Sequence, residues 1–100
     1  MSDPAADPVL DRVVVVCNRR GLHARAAARF VAMAERFAAS VEVAGAGSPE
    51  QSVSARSIMG LMMLGVGQGS GLSLRAQGWD AKEALDALAA LVESGFDEQE

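Results

Sequence analysis

The sequence predicts an α+β fold, a two-layer open-faced β-sandwich with elements in the order β-α-β-β-α-β-α. Three observations carry this. Short runs such as "SVEVA" and "LSLRAQ" alternate apolar and polar residues, the mark of strands with one wet face. Two longer stretches repeat apolar residues at three- and four-residue steps, the mark of amphipathic helices. No internal repeat relates one part of the chain to another. Strands with one polar face need cover on the other, so the expected product is a four-stranded antiparallel sheet with three helices on one face.

In chain order, residues 1–11 hold two prolines and three aspartates and are expected to form a flexible acidic lead-in. Residues 12–96 form the expected domain, and 97–100 an acidic tail. "RVVVVC" over residues 12–17 is β-branched and reads as the first strand. "NRRGL" breaks it. From Ala24 to about Ala39, Ala27, Phe30, Val31, Ala34, Phe37 and Ala38 form an apolar stripe, with Arg25, Arg29 and Arg36 mostly off it. "SVEVA" at 40–44 and a weak "SVSA" around the turn-rich "GAGSPEQ" read as a hairpin. "SIMGLMMLG" is a short helix with Ser57 as N-cap, ending near Gly65. Leu72 to Gln77 forms the last strand. Asp80 to Ser94 forms the last helix, with Asp80 and Glu83 as a capping box, a stripe of Leu85, Leu88, Leu91 and Val92, and Gly95 as its stop.

Composition excludes several functions. One hundred residues suffice for one modest core. The net charge of −4 opposes nucleic-acid binding, which needs a basic field to meet phosphates. The acidic residues gather at the two ends, which leaves room for an anion site in the middle. Cys17 has no partner for an internal disulfide and reads as a small buried side chain. No run is long enough for a membrane span, and "MSDPAADPVL" lacks the basic and apolar regions of a secretory signal, so cytoplasmic residence is expected. With one histidine and no cysteine cluster, neither a metal site nor a cofactor is expected.

That single histidine stands in "GLHARAAARF", at the start of the first helix. A helix N-terminus exposes unpaired N–H groups and the positive end of the helix dipole, which together favour an anion. Gly21 permits a sharp turn and close approach. Arg25 adds a forked, permanent donor suited to phosphate oxygens. Imidazole in its neutral form is a nucleophile toward phosphorus, and its reference pKa of about 6.5 leaves it largely neutral near pH 7. The pattern therefore suits a phosphoryl group carried on His23. A plain polar cap or a solvated residue satisfies the same spacing, and Arg29 reads as part of a solvated face.

"GLHARAA" after a valine strand, followed by "SIMGLMMLGVGQG", resembles the histidine-containing phosphocarrier HPr family of the bacterial phosphoenolpyruvate phosphotransferase system. The resemblance runs from about Arg12 to Phe96. It implies the same fold, a phosphohistidine at Nδ1 of His23, an active-site clamp at Arg25 and a regulatory serine at Ser57. It departs from the family pattern at Ala26, where a proline is usual, so the first helical turn loses a backbone restraint.

Almost every residue from Ile58 to Val66 is apolar on a helix of barely two turns. Leu61 and Leu64 are assigned to the core, and Ile58, Met59 and Met62 to an exposed patch, while a Met-rich core helix fits the periodicity equally well. The resemblance favours the patch as the docking face for enzyme I and the enzyme II A-domains. It also implies an HPr kinase/phosphorylase acting on Ser57, which otherwise reads as a plain N-cap. The expected protein is a monomeric carrier, not an enzyme in its own right. The alternative within the family is a nitrogen-branch regulatory carrier, which the ending "ALAALVESGFDEQE" resembles; alternatives of other kinds are a regulatory binding module without relay and a ferredoxin-like ligand-binding domain.

Overall fold

The computed structural model describes residues 7–98. Seven elements follow in order: β1 (Leu10–Val15), α1 (Ala24–Ala34), β2 (Ser40–Gly45), β3 (Val53–Ser54), α2 (Ile58–Met63), β4 (Gly71–Gln77) and α3 (Ala81–Glu93). The strands form one antiparallel sheet in the order β1-β4-β2-β3. The helices cover one face, α3 on β1 and β4, and α1 between α3 and α2. This is the fold class the sequence predicts.

The alternation that predicts the strands also sorts their two faces. Leu72, Leu74 and Ala76 of β4 are wholly buried beneath the helices, and Val41 and Val43 of β2 join them. On the open face Arg75 donates to Asp11 directly across the register at 2.8 Å, while Val13 and Val15 stay exposed. Phe30 and Phe96 are the largest fully buried side chains, and each contributes roughly 1.5–3 kcal/mol relative to exposure.

Several boundaries differ from the sequence expectation. β1 begins at Leu10 rather than Arg12, because Leu10 and Asp11 face Ala76 and Arg75 of β4. It ends at Val15, where its partner strand runs out at Gly71. The expected lead-in is therefore shorter than residues 1–11, and even Asp7 is tied down, its carbonyl accepting from Gln77 Nε2 at 2.9 Å. Residues 1–6 of that lead-in and 99–100 of the acidic tail lie outside the described residues. Cys17 lies past the end of the strand and is exposed, not buried.

The first helix stops at Ala34, not near Ala39, and Ala38 is exposed. Asp80 is the cause. Its carboxylate makes no capping bond to α3 and instead accepts the backbone N–H groups of Ala38 and Ala39 at 2.9 and 2.8 Å. Arg56 Nη2 donates to the Phe37 carbonyl at 2.7 Å. The turn into β2 is thus built from side chains, and the expected Asp80–Glu83 capping box is not formed. The α3 stripe of Leu85, Leu88, Leu91 and Val92 is buried as expected, and Gly95 follows with φ +70°.

Candidate functional site around His23

The loop before α1 turns at Gly21, whose φ of +63° suits glycine. Asn18 stabilises that turn: it is buried, and its Nδ2 donates to the Gly21 carbonyl at 2.8 Å. Leu22 then inserts into the core and His23 becomes the N-cap of α1 in extended conformation. The His23 carbonyl accepts the first intrahelical bond from Ala27 at 2.8 Å, and its Nδ1 faces the N–H of Arg25 at 3.3 Å. Nδ1 therefore points at the N-terminal N–H groups, where a bound anion is favoured.

Arg25 is exposed, and its guanidinium makes no hydrogen bond or ion pair among the described residues. Its fork is available to a ligand. Ala26 is wholly buried in the first turn. Among the described residues no three His, Cys, Asp or Glu side chains gather to hold a metal ion.

The other ring nitrogen meets a group the sequence did not place there. His23 Nε2 lies 2.7 Å from Glu98 Oε1, with both side chains largely shielded. The same oxygen accepts from Asn18 Nδ2 at 2.8 Å. The His23 hydrogen bond holds the Glu98 carboxyl below the usual carboxylate range. Partial burial opposes this, while His23 charge, the Asn18 bond and the Arg20 charge assist it. Glu98, expected in an acidic tail, is part of the candidate site.

A left-handed turn brings it there. Gly95, Phe96 and Asp97 have φ of +70°, +58° and +60° in succession. Phe96 buries its ring completely, and its carbonyl accepts from Arg29 Nη1. Arg29 thus joins α1 to the C-terminal turn and is not simply part of a solvated face. For Asn18 the one sequence signal is an asparagine three residues before a turn glycine. For Glu98 there is none, since its approach depends on tertiary packing of Phe96.

Ser57 caps α2 as expected, its Oγ accepting from the Gly60 N–H at 2.9 Å. Leu61 is wholly buried, and Leu64 is partly buried against the core. Ile58, Met59 and Met62 are exposed, and Met63, outside the expected patch, is exposed most of all at 79%. Helix α2 packs on α1, and Leu22 N–H donates to the Val66 carbonyl at 3.1 Å, so the histidine loop and the apolar helix share one side of the molecule.

Comparison with known proteins bears on the family and the fold. Residues 10–94 match the family model described as the PTS HPr component phosphorylation site. The chain is 44% identical over 89 residues to the phosphocarrier protein NPr of Shewanella violacea, covering 89% of this chain and 94% of that protein. It is 45% identical over 87 residues to the phosphocarrier protein HPr of Pseudomonas aeruginosa, covering 87% and 94%. Among solved structures, HPr-C-His from Thermoanaerobacter tengcongensis superposes with a TM-score of 0.82 at 42% identity, covering 91% of this chain and 99% of that one.

Proposed function

The chain belongs to the HPr family of phosphotransferase-system phosphocarriers, and we propose that it carries its phosphoryl group on Nδ1 of His23. It is a carrier rather than an enzyme, a covalent intermediate between the proteins of that system. The observation that supports His23 is the direction of its imidazole: Nδ1 faces the Arg25 N–H at the start of α1 while Nε2 is engaged by Glu98. A phosphoryl group on Nδ1 would lie where the helix dipole and the Arg25 fork can meet its oxygens. The cradle is light, and a light cradle suits a relay that must also release its cargo.

In this reading phospho-enzyme I is the donor and an enzyme II A-domain the acceptor, with the protein acting as a cytoplasmic monomer. Ile58, Met59 and Met62, joined by Met63, form the docking patch, supported by their exposure on the side that carries His23. Methionine suits a surface that must fit more than one partner. Ser57, at the edge of that patch, is the candidate for phosphorylation by an HPr kinase/phosphorylase. Relatives named NPr and HPr stand at almost equal identity, so the branch is decided by acceptor choice. The test is incubation with enzyme I and phosphoenolpyruvate, mapping of the labelled residue, and transfer to A-domains of both branches. A label anywhere but His23 overturns the site.

A further inference from the structure

The carrier reading uses Nδ1 of His23 and leaves unexplained why a carboxylate should be held against the other ring nitrogen. The two nitrogens meet opposite partners. Nδ1 faces a donor, the Arg25 N–H, and must be bare to accept from it. Nε2 faces the Glu98 carboxylate at 2.7 Å and must carry hydrogen to avoid opposing lone pairs. Both contacts select one tautomer, the one with its lone pair toward the helix N-terminus.

The carboxylate is itself held. Asn18 donates to the same oxygen, and Asn18 also fixes the Gly21 carbonyl, so one buried side chain aligns the loop and the acid together. The return of Glu98 depends on Phe96 and Asp97 in the left-handed region, a conformation that costs bulky residues free energy and persists only where packing enforces it. Here the enforcing contacts are the buried Phe96 ring and the Arg29 bond to its carbonyl.

We propose that Glu98 is a positioning residue for phosphoryl transfer, holding His23 as the Nε2–H tautomer with Nδ1 bare and facing the charge that the ring acquires. This rests on the reading of His23 as the carrier. When the Nδ1 lone pair attacks, the Nδ1–P bond forms and the bond from phosphorus to the donor breaks, its electron pair leaving with the donor. The ring becomes a phosphorylated imidazolium, and its Nε2 proton stays in place against Glu98. No proton need move in either direction of the relay. Arg20, on the same loop, is a cation that also acts on Glu98.

The test uses the full chain with Glu98→Ala and Glu98→Gln. The Nε2 proton of neutral His23 should give a protected resonance in the 15N-labelled wild type and in Glu98→Gln, whose amide oxygen still accepts, and should vanish by exchange in Glu98→Ala. With enzyme I as donor, Glu98→Ala should lower kcat about tenfold with KM changed less than about twofold, and Glu98→Gln should fall between. A wild-type kcat in Glu98→Ala, or an Nε2 proton no better protected in wild type than in that variant, overturns the proposal. Should the wild type take no label at all, the carrier reading fails, while the proton comparison still decides whether Glu98 holds the ring.

Discussion

The N–H of Leu22 donates to the carbonyl of Val66 at 3.1 Å, joining the loop before His23 to the loop after α2. The contact depends on Gly21. A Cβ there would stand 2.5 Å from the Val66 oxygen and 2.8 Å from Gly67 Cα, with φ at +63°. The two motifs that stand apart in the sequence therefore meet along one backbone seam.

That seam makes Gly21 the most sensitive glycine near the site. Gly21→Ala should lower stability by about 1–3 kcal/mol from backbone strain alone, before the clash is added. Gly47 is the control, since a Cβ there meets nothing within 4 Å. Denaturant unfolding should give a lower midpoint for Gly21→Ala and a nearly unchanged one for Gly47→Ala. Equal midpoints would show that the seam does not hold the loop.

The α-helical and strand periodicities made most of this architecture legible, because a one-sided sheet and its helices write their burial into alternate or three- and four-step positions. The stripe from Leu85 to Val92 and the strand from Leu72 to Ala76 are examples. The role of Asp80 is not legible in the sequence because a helix-start aspartate has two possible uses, and only tertiary geometry shows its carboxylate turned to Ala38 and Ala39. Glu98 was hidden for a different reason. Its sequence neighbours look like an acidic end, and the turn that redirects it runs through Phe96, a residue type that rarely adopts positive φ.

For His23, the carrier reading requires the imidazole itself. His23→Ala should remain folded, since the ring is an N-cap and not part of the core, with a cap loss of about 0.5–2 kcal/mol. It should accept no phosphate from enzyme I. The wild-type label should be acid-labile and alkali-stable, as a phosphoramidate is. Full labelling of the variant, or an acid-stable label on the wild type, would remove His23 from the relay.

Arg25 separates catalysis from docking. Its guanidinium is unengaged among the described residues, so Arg25→Ala should leave the unfolding midpoint nearly unchanged. If Arg25 is the clamp proposed for the phosphoryl group, its loss should slow transfer more than it raises KM, because the fork would meet the phosphoryl oxygens as charge redistributes. Arg25→Lys should recover part of the rate, a point charge being a poor copy of a fork. Equal rates in all three proteins would assign Arg25 to the solvent.

The titration of Glu98 has a defined sign. Its folded-state pKa lies below the ordinary value of 4.5, chiefly because of the His23 hydrogen bond. The contact therefore contributes stability that is present above about pH 4.5 and lost as pH falls through the lower folded-state value. The 13C carboxyl resonance of Glu98 should titrate below 4.5 in the wild type and move back toward that value in His23→Ala. An unchanged midpoint in the variant would mean that the two residues do not interact in solution.

Ser57 joins a helix cap to the proposed docking face. Its Oγ accepts from the Gly60 N–H at 2.9 Å, and Ile58 and Met59 beside it are exposed. Ser57→Asp keeps an acceptor at the N-cap and places a negative charge where the helix dipole favours one, so stability should change by roughly 1 kcal/mol or less. Recognition should suffer more. The new charge would lie beside the exposed apolar patch, which as the proposed docking face would lose its water on binding, and the incoming phosphoryl group is itself anionic. The apparent KM for phosphorylation by enzyme I should therefore rise markedly, and the rise should shrink as added salt screens the repulsion. Ser57→Ala is the control: it should lose about 0.5–2 kcal/mol through the missing cap yet transfer phosphate nearly normally. If Ser57→Asp unfolds the chain or leaves enzyme I kinetics untouched, Ser57 is a cap alone and its phosphorylation has no route to the relay.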